Sequence, residues 1–121
     1  GRLAPTTEVS ITTEAEIAIP ADAVTALNDA LAEALRNSVR HAGEDGADVP
    51  RFVDITANAH GITVVVRDEG RGFALRSVAS RRLGIRLSII ERMALVPGGH
   101  AQVRSRPGNG TVVTLRWERD A

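Results

Sequence analysis

Residues 20–43 read PADAVTALNDALAEALRNSVRHAG. They contain the longest segment of the chain in which apolar residues recur with a helical period, and they are the main sequence evidence for the fold. Pro20 and Asp22 are typical of a helix N-terminus, where a missing N–H is tolerated and an acid suits the positive end of the dipole. Gly43 is typical of the residue after a helix. Apolar and small residues between these ends predict a core-facing stripe about five turns long: Val24, Leu27, Leu31, Leu35, Ser38 and Ala42.

Segments rich in strand-forming residues flank this helix. Apolar residues on odd numbers from Val9 to Ile19 predict one strand, or two short strands with a kink near Thr13-Glu14. Residues 51–56 and 62–67 predict a hairpin, as do residues 101–106 and 111–117. Between the hairpins, residues 68–83 predict a long loop and residues 84–94 a second helix. This order predicts an α/β two-layer sandwich, in which helices pack on one face of a mixed β-sheet.

The composition predicts a single domain. The chain has 121 residues, of which 43% are hydrophobic, and we expect a domain over residues 8–121 after a linker or frayed N-terminus at residues 1–7. Fifteen arginines balance fifteen acidic residues, so no nucleic-acid or membrane-surface partner is expected. The absence of cysteine excludes disulfides and thiolate zinc sites, and the absence of lysine excludes a GxxxxGK P-loop.

The ends of the chain and its apolar runs bear on its location. No run reaches the roughly 18–20 apolar residues that cross a bilayer. The absence of cysteine favours a cytoplasmic location for this domain, whether or not a parent protein is anchored in a membrane. Because the chain begins Gly1-Arg2 without methionine, we expect it to be processed or to be a piece of a longer protein.

Polar residues form a row along the long helix. Glu33, Asn37 and His41 are spaced at i, i+4 and i+8, with Arg40 beside them. Measured against the predicted core stripe, Glu33 and Asn37 point about 120–160° away from its leucines. A carboxylate, an amide oxygen and cations in one row can hold a hydrated Mg²⁺ and phosphate oxygens. The alternative from the residues alone is a solvated helix face.

A glycine-containing turn follows the second strand of the first hairpin, with the sequence Asp68-Glu69-Gly70-Arg71-Gly72-Phe73. Two glycines let the backbone approach a flat ligand closely. An aspartate at the end of a strand can accept a hydrogen bond from an exocyclic amine such as that of adenine. The alternative is an ordinary turn between a strand and a loop.

Two further glycine sites come later in the chain. Gly84 lies near the start of the predicted second helix, where exposed amides attract phosphate. It lies within an arginine-rich stretch without acids, for which a solvated loop tip is the alternative interpretation: Arg76, Arg81, Arg82 and Arg86. The sequence Gly108-Asn109-Gly110-Thr111 taken alone indicates a hairpin turn.

The order of these motifs resembles the GHKL ATPase superfamily, and within it the catalytic ATP-binding domain of a bacterial sensor histidine kinase. The resemblance covers roughly residues 9–117 and implies the Bergerat-type ATP-binding fold. The segment between Phe73 and Gly84 is similar to the compact lid of kinases that pair with LuxR/NarL-like response regulators. Four motifs carry the resemblance: Glu33-x-x-x-Asn37-x-x-Arg40-His41-Ala42, Asp68-x-Gly70-x-Gly72-Phe73, Gly84 opening a helix, and Gly108-x-Gly110-Thr111.

The resemblance implies ATP and Mg²⁺ as cofactors and assigns the polar row of the long helix to them. Asn37 would bind the Mg²⁺ that bridges the phosphates, and Glu33 would polarise a metal-bound water or the incoming acceptor. Arg40 and His41 would face the phosphates. The start of the second helix would lie under the phosphates, with three ATP-binding residues: Gly84, Ile85 and Arg86.

The resemblance also assigns residues to the base. Asp68 would bind the adenine amine, while Gly70 and Gly72 leave room for the base and ribose. Gly110 and Thr111 would lie in the same site, with Thr111 supporting Asp68 through its hydroxyl or a water.

This sequence departs from the family pattern at one position. The family usually continues G-x-G-L, whereas this chain reads Gly84-Ile85-Arg86-Leu87. Arg86 in place of the second glycine either contacts phosphate itself or crowds the pocket and weakens nucleotide binding.

The function that the resemblance implies is transfer of the γ-phosphoryl of ATP to a histidine on a separate dimerisation domain, and from there to a response regulator. His41, His60 and His100 do not fit the acceptor role, so the isolated chain is not expected to phosphorylate itself. The alternatives are an anti-sigma-factor-type serine kinase of the same fold and a non-catalytic nucleotide-binding or docking module.

Overall fold

The computed structural model describes residues 7–41, 49–70 and 80–119, and for residues 40, 41 and 80–86 it describes the backbone alone. Within these ranges the chain forms five strands and two helices, which confirms the predicted α/β class. In chain order they are β1 (Thr7–Thr13), α1 (Ala21–His41), β2 (Arg51–Ala57), β3 (Gly61–Asp68), α2 (Ser80–Ala94), β4 (Gly99–Ser105) and β5 (Thr111–Glu118).

The strands form one mixed sheet in the order β1-β2-β3-β5-β4. β1 pairs with β2 in parallel, because α1 carries the chain back between them. The other neighbouring strands pair antiparallel, and the two predicted hairpins are the pairs β2–β3 and β4–β5. The described residues 7–13 place β1 on the sheet from Thr7 onward, and residues 1–6 of the predicted linker lie outside the described residues.

The core lies between the sheet and the two helices. Alternate residues of the central strands share the helix-facing side and are buried against α1 and α2. Leu115, Ile89 and Met93 are the largest fully buried side chains. After Thr13 the chain runs without further strand to α1, so the second short strand in one of the two sequence predictions does not form. Ile17 and Ile19 still pack against the core from this connection.

The buried face of α1 differs from the predicted stripe. Val24 is 40% exposed, and Leu31 and Leu35 are only partly buried. Small side chains fill the centre of the contact instead, because they let the helix lie close to the sheet. The buried residues of α1 are Ala23, Ala26, Leu27, Ala30, Ala34 and Ser38.

The buried face of α1 is rotated about the helix axis relative to the predicted stripe. This difference corrects the predicted positions of Glu33 and Asn37. Seven helical residues return to nearly the same direction, so Glu33 lies about 20° from buried Ala26 and Asn37 about 20° from buried Ala30. Both side chains are half-buried rather than turned away from the core. The prediction was wrong because it used the larger leucines to define the core direction.

The second helix begins earlier than predicted. α2 starts at Ser80, four residues before Gly84, and so residues 80–83 belong to a helix rather than to the predicted loop. Arginine and leucine are strong helix formers, which explains the extension through Arg81, Arg82 and Leu83. Only the first four N–H groups of a helix lack partners within it. The N–H of Gly84 is the fifth, and it is not one of the free donors that the sequence prediction assigned to phosphate.

Candidate functional site

Asp68 is the last residue of β3 and lies in a corner formed by three elements. Its side chain is nearly buried, with the residue 6% exposed. Its Oδ1 accepts hydrogen bonds from the backbone N–H of Gly70 at 3.0 Å and of Thr111 at 3.1 Å. Its Oδ2 accepts a hydrogen bond from the Ser38 hydroxyl at 2.8 Å. Three donors therefore hold the carboxylate in one orientation between β3, the start of β5 and α1.

Gly110 allows β5 to start against Asp68. Its φ is +73°, and a Cβ built on it would lie 2.1 Å from the Asp68 carbonyl oxygen. Glycine is required there for both reasons. The neighbouring Thr111 contacts Asp68 through its backbone N–H. Its hydroxyl lies 2.9 Å from the Ser105 hydroxyl, so among the described contacts Thr111 supports Asp68 through its backbone rather than through the hydroxyl or water that the resemblance implies.

Arg51 and Ser38 join this corner and were missed as site residues in the sequence. Arg51 is 2% exposed and pairs directly with Asp68 in the β2–β3 register. Its Nε donates to the Ser38 Oγ at 3.0 Å, and its Nη2 donates to the Ser38 carbonyl oxygen at 3.5 Å. The alternation of side chains along β2 could have identified Arg51 from the sequence. Residues two apart in a strand share a face, so Arg51 lies on the same face as buried Val53. A buried arginine needs partners.

Asn37 precedes Ser38, so α1 brings it to the same corner of the molecule. Its Oδ1 is buried and has no hydrogen-bond partner among the described residues. A buried acceptor without a partner costs about 1–3 kcal/mol. Among the described residues nothing satisfies this oxygen, so it is free to accept from a water or to coordinate a cation.

Glu33 lies one turn before Asn37 and faces α2. Its side chain is 23% exposed, and its Oε1 lies 3.4 Å from Arg36 Nη2 and 3.9 Å from Arg92 Nη1. Pairs with this exposure contribute at most about 1 kcal/mol. Their effect is to place a carboxylate beside Asn37 at the α1–α2 contact.

The remaining predicted site residues are placed in part. Gly70 contacts Asp68, whereas Gly72 lies outside the described residues. Arg40 and His41 end α1, but their side chains lie outside the description. Three more predicted residues belong to α2, again with side chains outside the description: Gly84, Ile85 and Arg86. Direct contacts thus connect Asp68, Gly70 and Thr111, and Ser38 connects them to the helix that carries Asn37.

Several cavities border the described residues. One of about 280 Å³ lies beside the turn after β3 and is lined by Asp68, Gly70, Gly108 and Asn109, among others. A larger one of about 500 Å³ lies at the other end of α1, where Pro20 and Asp22 face Trp117. None of the predicted site residues lines the larger cavity. The smaller cavity borders the corner that contains the polar contacts.

Within residues 7–41, 49–70 and 80–119, no three His, Cys, Asp or Glu side chains come together to hold a metal ion. Mg²⁺ does not require such a cluster, because it commonly keeps several waters and takes one or two protein ligands together with phosphate oxygens. The lone Asn37 oxygen fits this second pattern. Neither helix of the described chain combines the length and the apolar content that crossing a membrane requires.

Residues 22–121 match the family described as "Histidine kinase-, DNA gyrase B-, and HSP90-like ATPase", and the chain belongs to this family. Its fold is similar to that of the histidine kinase domain from the Erythrobacter litoralis EL346 blue-light activated histidine kinase, with 19% identity and a TM-score of 0.58. The match covers 93% of this chain and 54% of that domain. Against a longer structure of the same Erythrobacter litoralis kinase, it covers 93% of this chain and 35% of that one. No curated protein matches the sequence.

Family membership confirms the GHKL resemblance and identifies the chain as an ATP-binding domain of the ATPase and kinase class. The structural similarity, at 19% identity, concerns the fold. The chain spans about half the length of the kinase domain it matches, so the functions of a complete kinase are matters for proposal.

Proposed function

We propose that this chain is the catalytic ATP-binding domain of a two-component sensor histidine kinase. It binds ATP with Mg²⁺ and transfers the γ-phosphoryl group to a histidine on a separate dimerisation domain of the same kinase. The observation that carries the proposal is the buried Asn37 Oδ1 without a described partner, on the residue next to the Ser38–Asp68 hydrogen bond. Family membership supplies the nucleotide class.

Asp68 is the residue proposed to bind the base. A carboxylate offers about four acceptor sites, and three protein donors use three of them here. The remaining acceptor site suits the exocyclic amine of adenine. Gly70 lies beside it without a side chain that would occupy the space of the base, and Gly110 lets β5 approach Asp68.

Asn37 and Glu33 are the residues proposed to hold Mg²⁺, Asn37 through its amide oxygen and Glu33 through a water. When bound, the ion would neutralise charge on the phosphates. Asn37 then gains the partner that its buried oxygen lacks. Glu33, held by Arg36 and Arg92, would orient the incoming acceptor by accepting a hydrogen bond from it. Arg40 and His41 at the end of α1 are proposed to complete the phosphate side together with three residues of α2: Gly84, Ile85 and Arg86.

The transfer forms a bond between the γ-phosphorus and an imidazole nitrogen, and it breaks the bond to the β-phosphate oxygen so that ADP leaves. His60 and His100 are exposed, at the β2–β3 turn and on β4. Neither lies on a helix, whereas the resemblance implies an acceptor on a helical hairpin, so the acceptor histidine is proposed to lie on another domain, and a response regulator would receive the phosphoryl group from it. The proposal places this domain at residues 8–121 of the chain and in the cytoplasm.

Calorimetric titration of the chain with ATP, with and without Mg²⁺, tests the proposal, with ADP and GTP as comparisons. We expect one ATP per chain, tighter binding with Mg²⁺ and a preference for adenine over guanine. A second measurement supplies a separate phosphoacceptor hairpin and radiolabelled ATP, and we expect labelled histidine. Failure of the chain to bind any adenine nucleotide would contradict the site, whereas binding without transfer would contradict the kinase assignment.

A further inference from the structure

Arg51 is the most deeply buried charged residue among those described, yet the proposed nucleotide contacts do not use it. Two of its hydrogen bonds go to Ser38: Nε to the hydroxyl oxygen and Nη2 to the carbonyl oxygen. The Ser38 hydroxyl in turn donates to Asp68 Oδ2. A guanidinium, a hydroxyl and a carboxylate thus form a chain of hydrogen bonds from the start of β2 to the end of β3.

The donors and acceptors that each group offers fix the direction of these hydrogen bonds. A guanidinium has only donors, so the Ser38 oxygen has to accept from Arg51 Nε. A hydroxyl has a single hydrogen, and with its oxygen occupied by Arg51 that hydrogen points to Asp68. The hydroxyl is then not available to donate to a ligand, and the ionised carboxylate of Asp68 only accepts. The corner therefore presents an acceptor to a bound base and no donor.

We propose that Arg51 is a specificity-determining positioning residue, which holds the Ser38 hydroxyl as a donor to Asp68 and so keeps Asp68 oriented toward a 6-amino group and the hydroxyl turned away from a 6-oxo group of a purine nucleotide. This rests on the proposed function, in which Asp68 binds the base. A 6-amino group donates to the acceptor that the corner presents. A 6-oxo group would place an acceptor against an acceptor, and the unpaired groups would be left buried.

Calorimetric titration of the full chain with ATP and with ITP tests the inference, because these nucleotides differ at position 6 of the purine and lack the 2-amino group of GTP. We expect Arg51→Met to lower the ATP-over-ITP preference about tenfold, the size of one hydrogen bond to a charged group. Most of the change should come from weaker ATP binding. Arg116→Met removes an exposed arginine on the other face of the sheet and is expected to leave both affinities unchanged.

Substitutions of Ser38 keep the test independent of how well Arg51→Met folds. Ser38→Ala removes the relay and is expected to reduce the preference as Arg51→Met does, whereas Ser38→Thr keeps a hydroxyl and is expected to retain it. Equal weakening of ATP and ITP in Arg51→Met and Ser38→Ala, or no change in either, would overturn the role of Arg51. Absence of any ATP preference in the unmodified chain would instead count against the proposed role of Asp68.

Discussion

The Ser38 hydroxyl donates to Asp68 Oδ2 at 2.8 Å across thirty residues of sequence. This contact fastens the C-terminal half of α1 to the end of β3, where the Gly70 and Thr111 amides complete the carboxylate's partners. Asn37 lies one residue before Ser38, so the contact brings the proposed metal ligand and the proposed base ligand to the same end of the sheet. The following predictions test parts of this arrangement.

Asp68→Asn is expected to weaken ATP binding about a hundredfold. The substitution keeps the shape of the side chain but replaces one acceptor oxygen with a donor, which opposes both the protein donors around it and the adenine amine. Asp54→Asn is the matched control, because Asp54 is exposed on β2. Calorimetric titration measures both variants. Unchanged ATP affinity in Asp68→Asn would remove Asp68 from the site.

Asn37→Ala is expected to remove the dependence of ATP binding on Mg²⁺ while leaving the free energy of unfolding without nucleotide unchanged or raising it by up to about 1–3 kcal/mol. The side chain carries a buried oxygen without a described partner, so the folded protein gains little from it. Urea unfolding and ATP titration with and without Mg²⁺ measure the two effects. The control is Asn28→Ala, an exposed position on α1. Persistence of the full Mg²⁺ effect in Asn37→Ala would refute the metal assignment.

Gly110→Ala is expected to destabilise the fold more than Gly108→Ala. Both glycines have positive φ, so alanine at either costs about 1–2 kcal/mol in backbone strain. At Gly110 the added Cβ also meets the Asp68 carbonyl oxygen at 2.1 Å, whereas at Gly108 it meets nothing within 4 Å. Urea unfolding should show a difference of about 1–3 kcal/mol between the two variants. Equal losses would mean that β5 is not held so closely against Asp68.

Ala30→Leu is expected to cost about 1–3 kcal/mol of unfolding free energy, because Ala30 is fully buried where α1 meets the core and a larger side chain overfills the contact. Val24→Ala is expected to cost under about 1 kcal/mol, because Val24 is 40% exposed. Thermal or urea unfolding compares the two. A larger loss in Val24→Ala than in Ala30→Leu would favour the leucine-centred core stripe that the sequence alone predicts.

Much of the fold could be predicted from local patterns. The 3.6-residue period and the end signals of residues 20–43 predicted α1, and the glycine turn at residues 107–110 predicted the second hairpin. The rotation of α1 could not be predicted in the same way, since it depends on how close the helix comes to the sheet. Close approach favours Ala30 and Ala34 at the contact and moves Leu31 and Leu35 to its edge.

Site residues within one short sequence motif could be predicted. Site residues that come together from two distant segments could not. Asp68 and Gly70 stood out because a strand ends in a glycine turn. Arg51 did not, because its burial depends on the register that sets it opposite Asp68 and on α1 bringing Ser38 between them. The start of α2 was misplaced because Gly84 was read as a boundary, whereas the helix formers before it extend the helix to Ser80.

We propose that Asn37 and Asp68 contact the same bound nucleotide. An NMR titration of the labelled chain with Mg²⁺-ATP measures whether they do. The backbone amides of Gly70 and Thr111, which donate to Asp68, report the base side, and the Asn37 side-chain amide reports the metal side. If both residues contact one nucleotide, we expect all three signals to shift along one binding curve with one Kd. Separate curves, or an Asn37 signal that stays unchanged while the Gly70 and Thr111 signals shift, would contradict it.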